Sequence, residues 1–123
     1  MARLAQRLAL FVFLAAALAT AWGAFAPHEG PELHLMPWDK ARHFSAFAVM
    51  TTSAILAFPR TRLSVIAGLL SLAGAAIEVI QGLPMVHRDA DVWDWVADSV
   101  AIVMVLAVIL AARFRRAVGG GPP

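Results

Sequence analysis

Four long apolar runs separated by short polar connections constrain the fold of this chain more than any other feature. A bilayer core needs roughly 20 apolar residues, with about 17 as the lower limit. The first and third runs meet this length directly, and the second and fourth meet it once polar flanks from Asp39 and from Val92 are included. The sequence therefore predicts four membrane-spanning helices. The runs are residues 8–26, 43–58, 63–82 and 96–112.

The composition indicates a membrane protein and excludes several other classes. Hydrophobic residues make up 61% of the chain and charged residues only 15%, whereas roughly a quarter of the residues in soluble proteins are charged. No cysteine is present, which excludes disulfides, thiolate metal sites and cysteine nucleophiles. Basic residues cluster at the ends of the apolar runs and form no aromatic-rich patch, so nucleic acid is not an expected partner. The length of 123 residues predicts one domain, 1–123, and the four helical runs make it all-α, with a flexible Gly- and Pro-rich tail at 117–123.

The distribution of charge predicts how the helices are oriented. Arginines lie before the first run, between the second and third, and after the fourth, so four spans place all these clusters on one side. The positive-inside rule makes that side cytoplasmic. We therefore expect both termini in the cytoplasm and the polar loops on the opposite side of the membrane. The arginines are Arg3, Arg7, Arg60, Arg62, Arg113, Arg115 and Arg116; the acids on the other side are Glu29, Glu32, Asp39, Glu78, Asp89, Asp91, Asp94 and Asp98.

The first run also has features of a secretory signal peptide. Arg3 and Arg7 precede it, and the small residues Ala24 and Ala26 resemble a cleavage site. Its apolar stretch is long for a signal, and Pro27 would directly follow the cut. We expect an uncleaved helix; cleavage after residue 26 would leave three spans with the same cytoplasmic C-terminus.

Helical periodicity places the polar residues of three runs on single faces. Small residues accompany them, as is typical of helix–helix interfaces inside membranes. In the second run, Phe44 and Thr51 are expected on the face opposite the polar stripe. In the fourth, Val92 and Trp93 are expected to face lipid, and Trp95 to anchor the helix at the membrane interface. The polar faces comprise Asp39, His43, Ala46, Met50, Ser53 and Ala57, then Ser71, Gly74, Glu78 and Gln81, and finally Asp91, Asp94 and Asp98.

These faces direct ionisable side chains from three helices toward one zone of the outer leaflet. Asp98 lies about 10 Å deeper along the helix axis than Asp91, and Glu78 lies about 6 Å below the outer boundary. A charged residue at mid-bilayer costs roughly 2.5–3.5 kcal/mol, so Glu78 and Asp98 should be paired, protonated or hydrated. The predicted polar site comprises Asp39, His43, Glu78, Gln81, Arg88, Asp91, Asp94 and Asp98.

Structural and metal-binding roles are alternatives at these positions. Asp91 is expected to cap the fourth helix, with Arg88 as its partner. Glu78 has a structural alternative in hydrogen bonds to His43, to Arg88 or to Gln81 of another subunit. One imidazole with several carboxylates is compatible with a divalent metal, although paired-histidine spacing is absent. The candidate metal ligands are His43, Glu78, Asp94 and Asp98.

Three motifs resemble the VanZ-like family of small membrane proteins in order and spacing. They are DKARHFSAF at 39–47, IEVIQ at 77–81 and HRDADVWDWVAD at 87–98. The resemblance covers residues 39–110. Two positions depart from the family pattern, because Asp98 replaces a frequent Asn and Ala101 a frequent Gly. The matching positions are Asp39, Lys40, His43, Phe44, Glu78, Gln81, Arg88, Asp91, Asp94 and Asp98.

The resemblance implies an envelope protein whose family name derives from low-level resistance to the glycopeptide teicoplanin. We expect an outward-facing site for a polar envelope component, such as the headgroup of a lipid-linked precursor. A metal-dependent hydrolase or transferase of the outer leaflet is the enzymatic alternative. A structural or assembly module, including a homo-oligomer, is the third.

Overall fold

The computed structural model describes residues 1–26, 36–86 and 88–120. Within these ranges the chain is entirely helical, with turns between the helices and no strand. This confirms the predicted all-α class. The helices are α1 (Ala2–Phe25), α2 (Met36–Ala57), α3 (Leu63–Gln81) and α4 (Val92–Gly119).

Three of the four helices, α1, α3 and α4, are long and apolar enough to cross a membrane. Helix α2 is less apolar than the other three because its first turns carry Lys40, Arg42 and His43. Its 22 residues nevertheless extend over about 33 Å, longer than the hydrocarbon core of a bilayer. Helix α2 packs mainly against α1 and α4, and a helix enclosed by others can carry polar groups that a lipid-facing helix cannot.

Helix α2 lies between α1 and α4 and is therefore buried on more than one face, whereas the sequence predicted a single inward-facing polar face. Phe47 and Thr51 are fully buried, and Met50 and Ile55 are nearly so. Thr51 was expected opposite the polar stripe, but both sides of α2 are covered by neighbouring helices. The Thr51 hydroxyl donates to the Phe47 carbonyl at 2.6 Å, so its burial leaves no unsatisfied donor.

Helix α1 is joined to the rest of the bundle at both of its ends. Near its start, Nε2 of Gln6 donates to the Ala57 carbonyl at the end of α2, at 2.8 Å. Near its end, Nε2 of Gln81 donates to the Ala24 carbonyl at 3.0 Å. These bonds run from side chain to backbone across helices, so they fix the register of α1 against α2 and α3.

Helix α4 is longer than its apolar run. It continues to Gly119, so residues 117–119, which were predicted to begin the flexible tail, are helical; residues 121–123 lie outside the described ranges. At 28 residues the helix is about 42 Å long, and its arginine-rich last turns extend beyond the roughly 30 Å of a bilayer core. Val92 and Trp93 are each 62% exposed, which confirms their outward direction.

Candidate functional site

The start of α2, the end of α3 and the start of α4 meet at one end of the bundle. This arrangement follows from the antiparallel course of α3 and α4, which are joined by a short connection after Gly82. Ionisable side chains from all three helices form a polar cluster there. The polar cluster consists of Lys40, His43, Glu78, Asp91, Asp94 and Asp98.

Lys40 connects two of the carboxylates in the polar cluster. Its Nζ donates to Oδ2 of Asp91 at 2.7 Å and to Oδ1 of Asp94 at 2.9 Å. Lys40 was not among the predicted site residues, although it lies three positions before His43 and therefore on the same face of α2. A half-exposed ammonium at the edge of the site thus neutralises part of the acidic charge.

His43 lies between the two deeper aspartates. Its Nδ1 is 3.1 Å from Oδ1 of Asp98, and its Nε2 is 3.5 Å from Oδ2 of Asp94. Both ring nitrogens therefore face carboxylates, and one ring links the first and second turns of α4 to α2. Asp94 and Asp98 are both buried, as the inward direction of their helical face predicted.

Among the described residues, one hydrogen bond is made to the Glu78 side chain. Its Oε2 accepts from the backbone N–H of Asp91 at 2.9 Å. This bond joins α3 to the residue that directly precedes α4. This partner differs from the two alternatives predicted within the chain, which were His43 and Arg88. The other oxygen, Oε1, is buried with no hydrogen-bond donor among the described residues.

Asp91 caps α4 as predicted, but its charged partner differs from the expected one. Its Oδ1 accepts from the backbone N–H of Trp93 at 2.9 Å. The Lys40 ammonium hydrogen-bonded to Asp91, followed by that amide, holds the pKa of the carboxyl below its usual value. The expected Arg88 instead donates through Nη2 to the Gly23 carbonyl of α1.

Gly74 allows α3 and α4 to approach closely beside the polar cluster. A Cβ at this position would lie 2.9 Å from Oδ2 of Asp98. That oxygen is buried without a hydrogen-bond donor among the described residues. One turn earlier, Nε1 of Trp95 donates to the carbonyl and the hydroxyl of Ser71 at 3.1 and 3.2 Å. Trp95 therefore joins α4 to α3, where the sequence had predicted an interfacial anchor.

The predicted site residues fall into three groups in the structure. His43, Glu78, Asp91, Asp94 and Asp98 come together, with Lys40 added. Gln81 and Arg88 point to the carbonyls at the end of α1 and hold that helix beside the cluster. The prediction for the Asp39 side chain lies outside the described part of the structure.

The charges of the polar cluster do not balance. Four carboxyls face one ammonium and one imidazole, so acidic groups are in excess even when the imidazole is protonated. Burying unpaired carboxylates is costly, and such groups are commonly protonated or neutralised by a cation. The donor set is one imidazole nitrogen with several carboxylate oxygens, which is compatible with a first-row divalent metal.

The chain matches no family model, no curated protein and no solved structure. The polar cluster has three features with chemical consequences. Three helices converge on it, acidic groups are in excess, and two buried carboxylate oxygens have no donor among the residues that the structure describes.

Proposed function

We propose that this chain is a VanZ-like multi-pass protein of the bacterial plasma membrane that binds the polar headgroup of an envelope lipid at the polar cluster. The observation that carries the proposal is the convergence of ionisable side chains from α2, α3 and α4 at one end of an otherwise apolar bundle. A charged group inside a membrane segment is a functional hypothesis by default, because its burial is costly without a use.

The ends of the bundle differ in charge, which supports an outward-facing site. The arginines at the start of α1, between α2 and α3, and at the end of α4 lie at the end opposite the polar cluster. With α2 as a fourth span, the positive-inside rule assigns that arginine end to the cytoplasm. The polar cluster then faces the outer leaflet, at the depth of lipid headgroups.

The exposure of the cluster residues favours binding from the membrane surface. The side chains of Lys40 and Asp91 are 32% and 39% exposed, whereas that of Asp94 is 8% exposed. Lys40 and Asp91 thus form an accessible rim above a buried acidic floor. A headgroup with hydroxyl, amino or metal-bound phosphate groups fits such a surface, because these groups pair with carboxylates and an ammonium.

Lipid retention by the purified protein tests this proposal. We expect native mass spectrometry of protein extracted with its membrane lipids to detect a bound lipid, such as a lipid-linked envelope precursor. Replacing Glu78 with Gln and Asp94 with Asn together should reduce the lipid-bound fraction at least about tenfold, since each charged hydrogen-bonding group contributes about 1.5–3 kcal/mol. Insertion into the membrane should be unchanged, because both substitutions keep side-chain size.

Asp89→Asn is the matched control, since Asp89 is an exposed acid in the same connection but outside the polar cluster. This variant should retain lipid like the wild type. Equal lipid retention in the double variant and in the wild type would contradict the proposal, as would the absence of bound lipid from all three proteins.

A further inference from the structure

Three side chains of the polar cluster have the composition and spacing of a metal site. His43, Glu78 and Asp94 each present one ligand atom, and these atoms all lie within 4.8 Å of one another. Ligands of a tetrahedral ion bound at about 2.1 Å lie roughly 3.4 Å apart. The 3.5 Å between Nε2 of His43 and Oδ2 of Asp94 already matches that separation, and the ligand atom of Glu78 lies within 4.8 Å of both residues.

An independent feature of Glu78 favours a cation as its partner. Its side chain is about nine-tenths buried, and Oε1 has no donor among the described residues. A buried carboxylate oxygen normally has a hydrogen-bond donor or a cation as partner. Since Oε2 is already held by the Asp91 amide, Oε1 is the free coordination atom of this residue.

Asp98 orients His43 for metal binding. Its Oδ1 lies 3.1 Å from Nδ1 of His43, where an ionised carboxylate can only accept a proton. In the neutral ring with the proton on Nδ1, the Nε2 lone pair is directed toward Asp94. Metal-binding histidines typically have a carboxylate or carbonyl on the second ring nitrogen, which fixes both tautomer and orientation. Asp98 is thus a positioning residue, and the other three are the ligands.

We propose that the polar cluster binds one divalent first-row cation, of the Zn²⁺ or Mn²⁺ class, through Nε2 of His43, Oε1 of Glu78 and Oδ2 of Asp94. Three protein ligands leave at least one coordination position open. This inference deepens the proposed function and rests on it in one respect: the open position would accept a phosphate oxygen of the headgroup.

The cation resolves the charge imbalance of the cluster. With His43 neutral as a ligand, four carboxylates and the Lys40 ammonium sum to three negative charges. A divalent ion reduces that excess to one. It also changes which headgroups bind, because an acidic floor repels phosphate and a coordinated metal attracts it.

Metal binding is measured on tag-free protein in lipid-free detergent. Titration with Mn²⁺, followed by the loss of the free-ion electron paramagnetic resonance signal, should show one equivalent bound per chain, and Zn²⁺ should displace it. The melting temperature should rise with added ion, because a ligand that binds only the folded state stabilises it. Absence of both Mn²⁺ and Zn²⁺ binding by the wild type overturns the proposal.

Two variants and one control test the assignment of residues. Glu78→Gln should weaken Mn²⁺ binding at least about tenfold, and Asp98→Asn should weaken it by about 10- to 100-fold through loss of histidine positioning. Metal-free Glu78→Gln should melt no lower than metal-free wild type, because it removes an excess buried charge; a residue with a purely structural role would melt lower. Asp89→Asn should bind like the wild type.

The wild-type measurement stands even if a variant fails to fold. Unchanged affinity in folded Glu78→Gln, or an equal loss in Asp89→Asn, would overturn the assignment of the ligands. The two proposals fail separately: lipid retention without metal binding overturns the metal site alone, and metal binding without lipid retention overturns the proposed function alone.

Discussion

The acidic residues of the polar cluster share one chemistry but have different environments. The Asp91 carboxylate accepts from Lys40 and from the Trp93 amide, and the Asp91 backbone N–H donates to Glu78. In the described part of the chain, Asp98 has one oxygen beside Nδ1 of His43 and one buried oxygen without a donor. Helical spacing predicts the position of each acid along its helix axis. The hydrogen-bond partners of each carboxylate depend instead on contacts between helices, which the spacing within one helix does not determine.

Gly74 is the position where a single methyl group should disturb the site most. In Gly74→Ala the new Cβ would lie 2.9 Å from Oδ2 of Asp98, and Asp98 cannot move freely because His43 holds its other oxygen. Overpacking of this kind costs about 1–3 kcal/mol. We expect a lower melting temperature in detergent.

Gly68 provides the matched control on the same helix. It is exposed, and a Cβ there would meet nothing within 4 Å. Gly68→Ala should be neutral or stabilising by up to about 1 kcal/mol, because alanine favours helix more than glycine does. Equal melting temperatures for the two variants would show that α3 and α4 do not approach each other closely at Gly74.

Asp91 should make the stability of the start of α4 depend on pH. Its pKa is lowered in the folded chain, chiefly by the Lys40 hydrogen bond. Its charge therefore contributes stability above the ordinary carboxyl pKa, and that contribution is lost as the pH falls through the lowered value. Asp91→Ala should destabilise the chain by about 0.5–2 kcal/mol at neutral pH through loss of the cap, measured by chemical unfolding in detergent.

Asp91→Asn separates the charge from the cap, because asparagine caps helices as well as aspartate does. Its stability should fall between those of the wild type and Asp91→Ala at neutral pH. The difference between wild type and Asp91→Asn should shrink as the pH is lowered through the aspartate range. A difference that stays constant with pH would show that Lys40 does not act through the Asp91 charge.

Lys40 and Trp95 show why some contacts could not be predicted from the sequence. Lys40 precedes an apolar run, where a basic residue is usually a solvated flank, and its partner Asp91 is 51 positions away. Trp95 lies where interfacial tryptophans are common, yet its indole donates to Ser71 on α3. In both cases the local pattern is ambiguous, and the antiparallel packing of the helices decides the outcome.

The helices themselves were largely predictable, because each needs an apolar stretch of fixed length. The predicted runs coincide with α1 to α4, and the main differences are at their ends, such as the extension of α4 to Gly119. Burial around α2 was less predictable. Periodicity identifies a polar face, but whether the opposite face contacts lipid or protein depends on which helices surround it.

Helix α1 should remain in the mature protein. Gln6 binds the end of α2 and Gln81 binds the end of α1, so the helix packs along the bundle and contributes to its stability. We expect the intact mass of protein extracted from membranes to include residues 1–26. A mature chain that begins at Pro27 would contradict this expectation and would support the signal-peptide alternative.

The chain as a whole is an apolar bundle with opposite charge at its two ends. Among the described residues, the acids lie toward the end where α3 meets α4, and the arginine clusters at 3–7, 60–62 and 113–116 lie at the other. This separation was readable from the sequence, because it needs only the order of the helices and their number. It predicts an absolute orientation in the membrane.

Single cysteines can test that orientation, because the chain has none of its own. We expect Asp89→Cys, in the connection before α4, to react with a membrane-impermeant maleimide on intact cells whose outer surface is accessible. Thr61→Cys, in the connection between α2 and α3, should react only after permeabilisation, because the positive-inside rule places its arginine neighbours in the cytoplasm. Both positions are exposed in the structure, so neither result depends on burial within the bundle.

A third cysteine at Val118, which is exposed near the end of α4, extends the test to the membrane crossing of α4. It should behave like Thr61→Cys, because α3 and α4 together return the chain to the same side. If Val118→Cys and Asp89→Cys were both labelled on intact cells, α4 would not cross the membrane. If Thr61→Cys and Val118→Cys were labelled on intact cells and Asp89→Cys were not, the whole bundle would be inverted and the polar cluster would face the cytoplasm, where envelope lipids of the outer leaflet could not reach it.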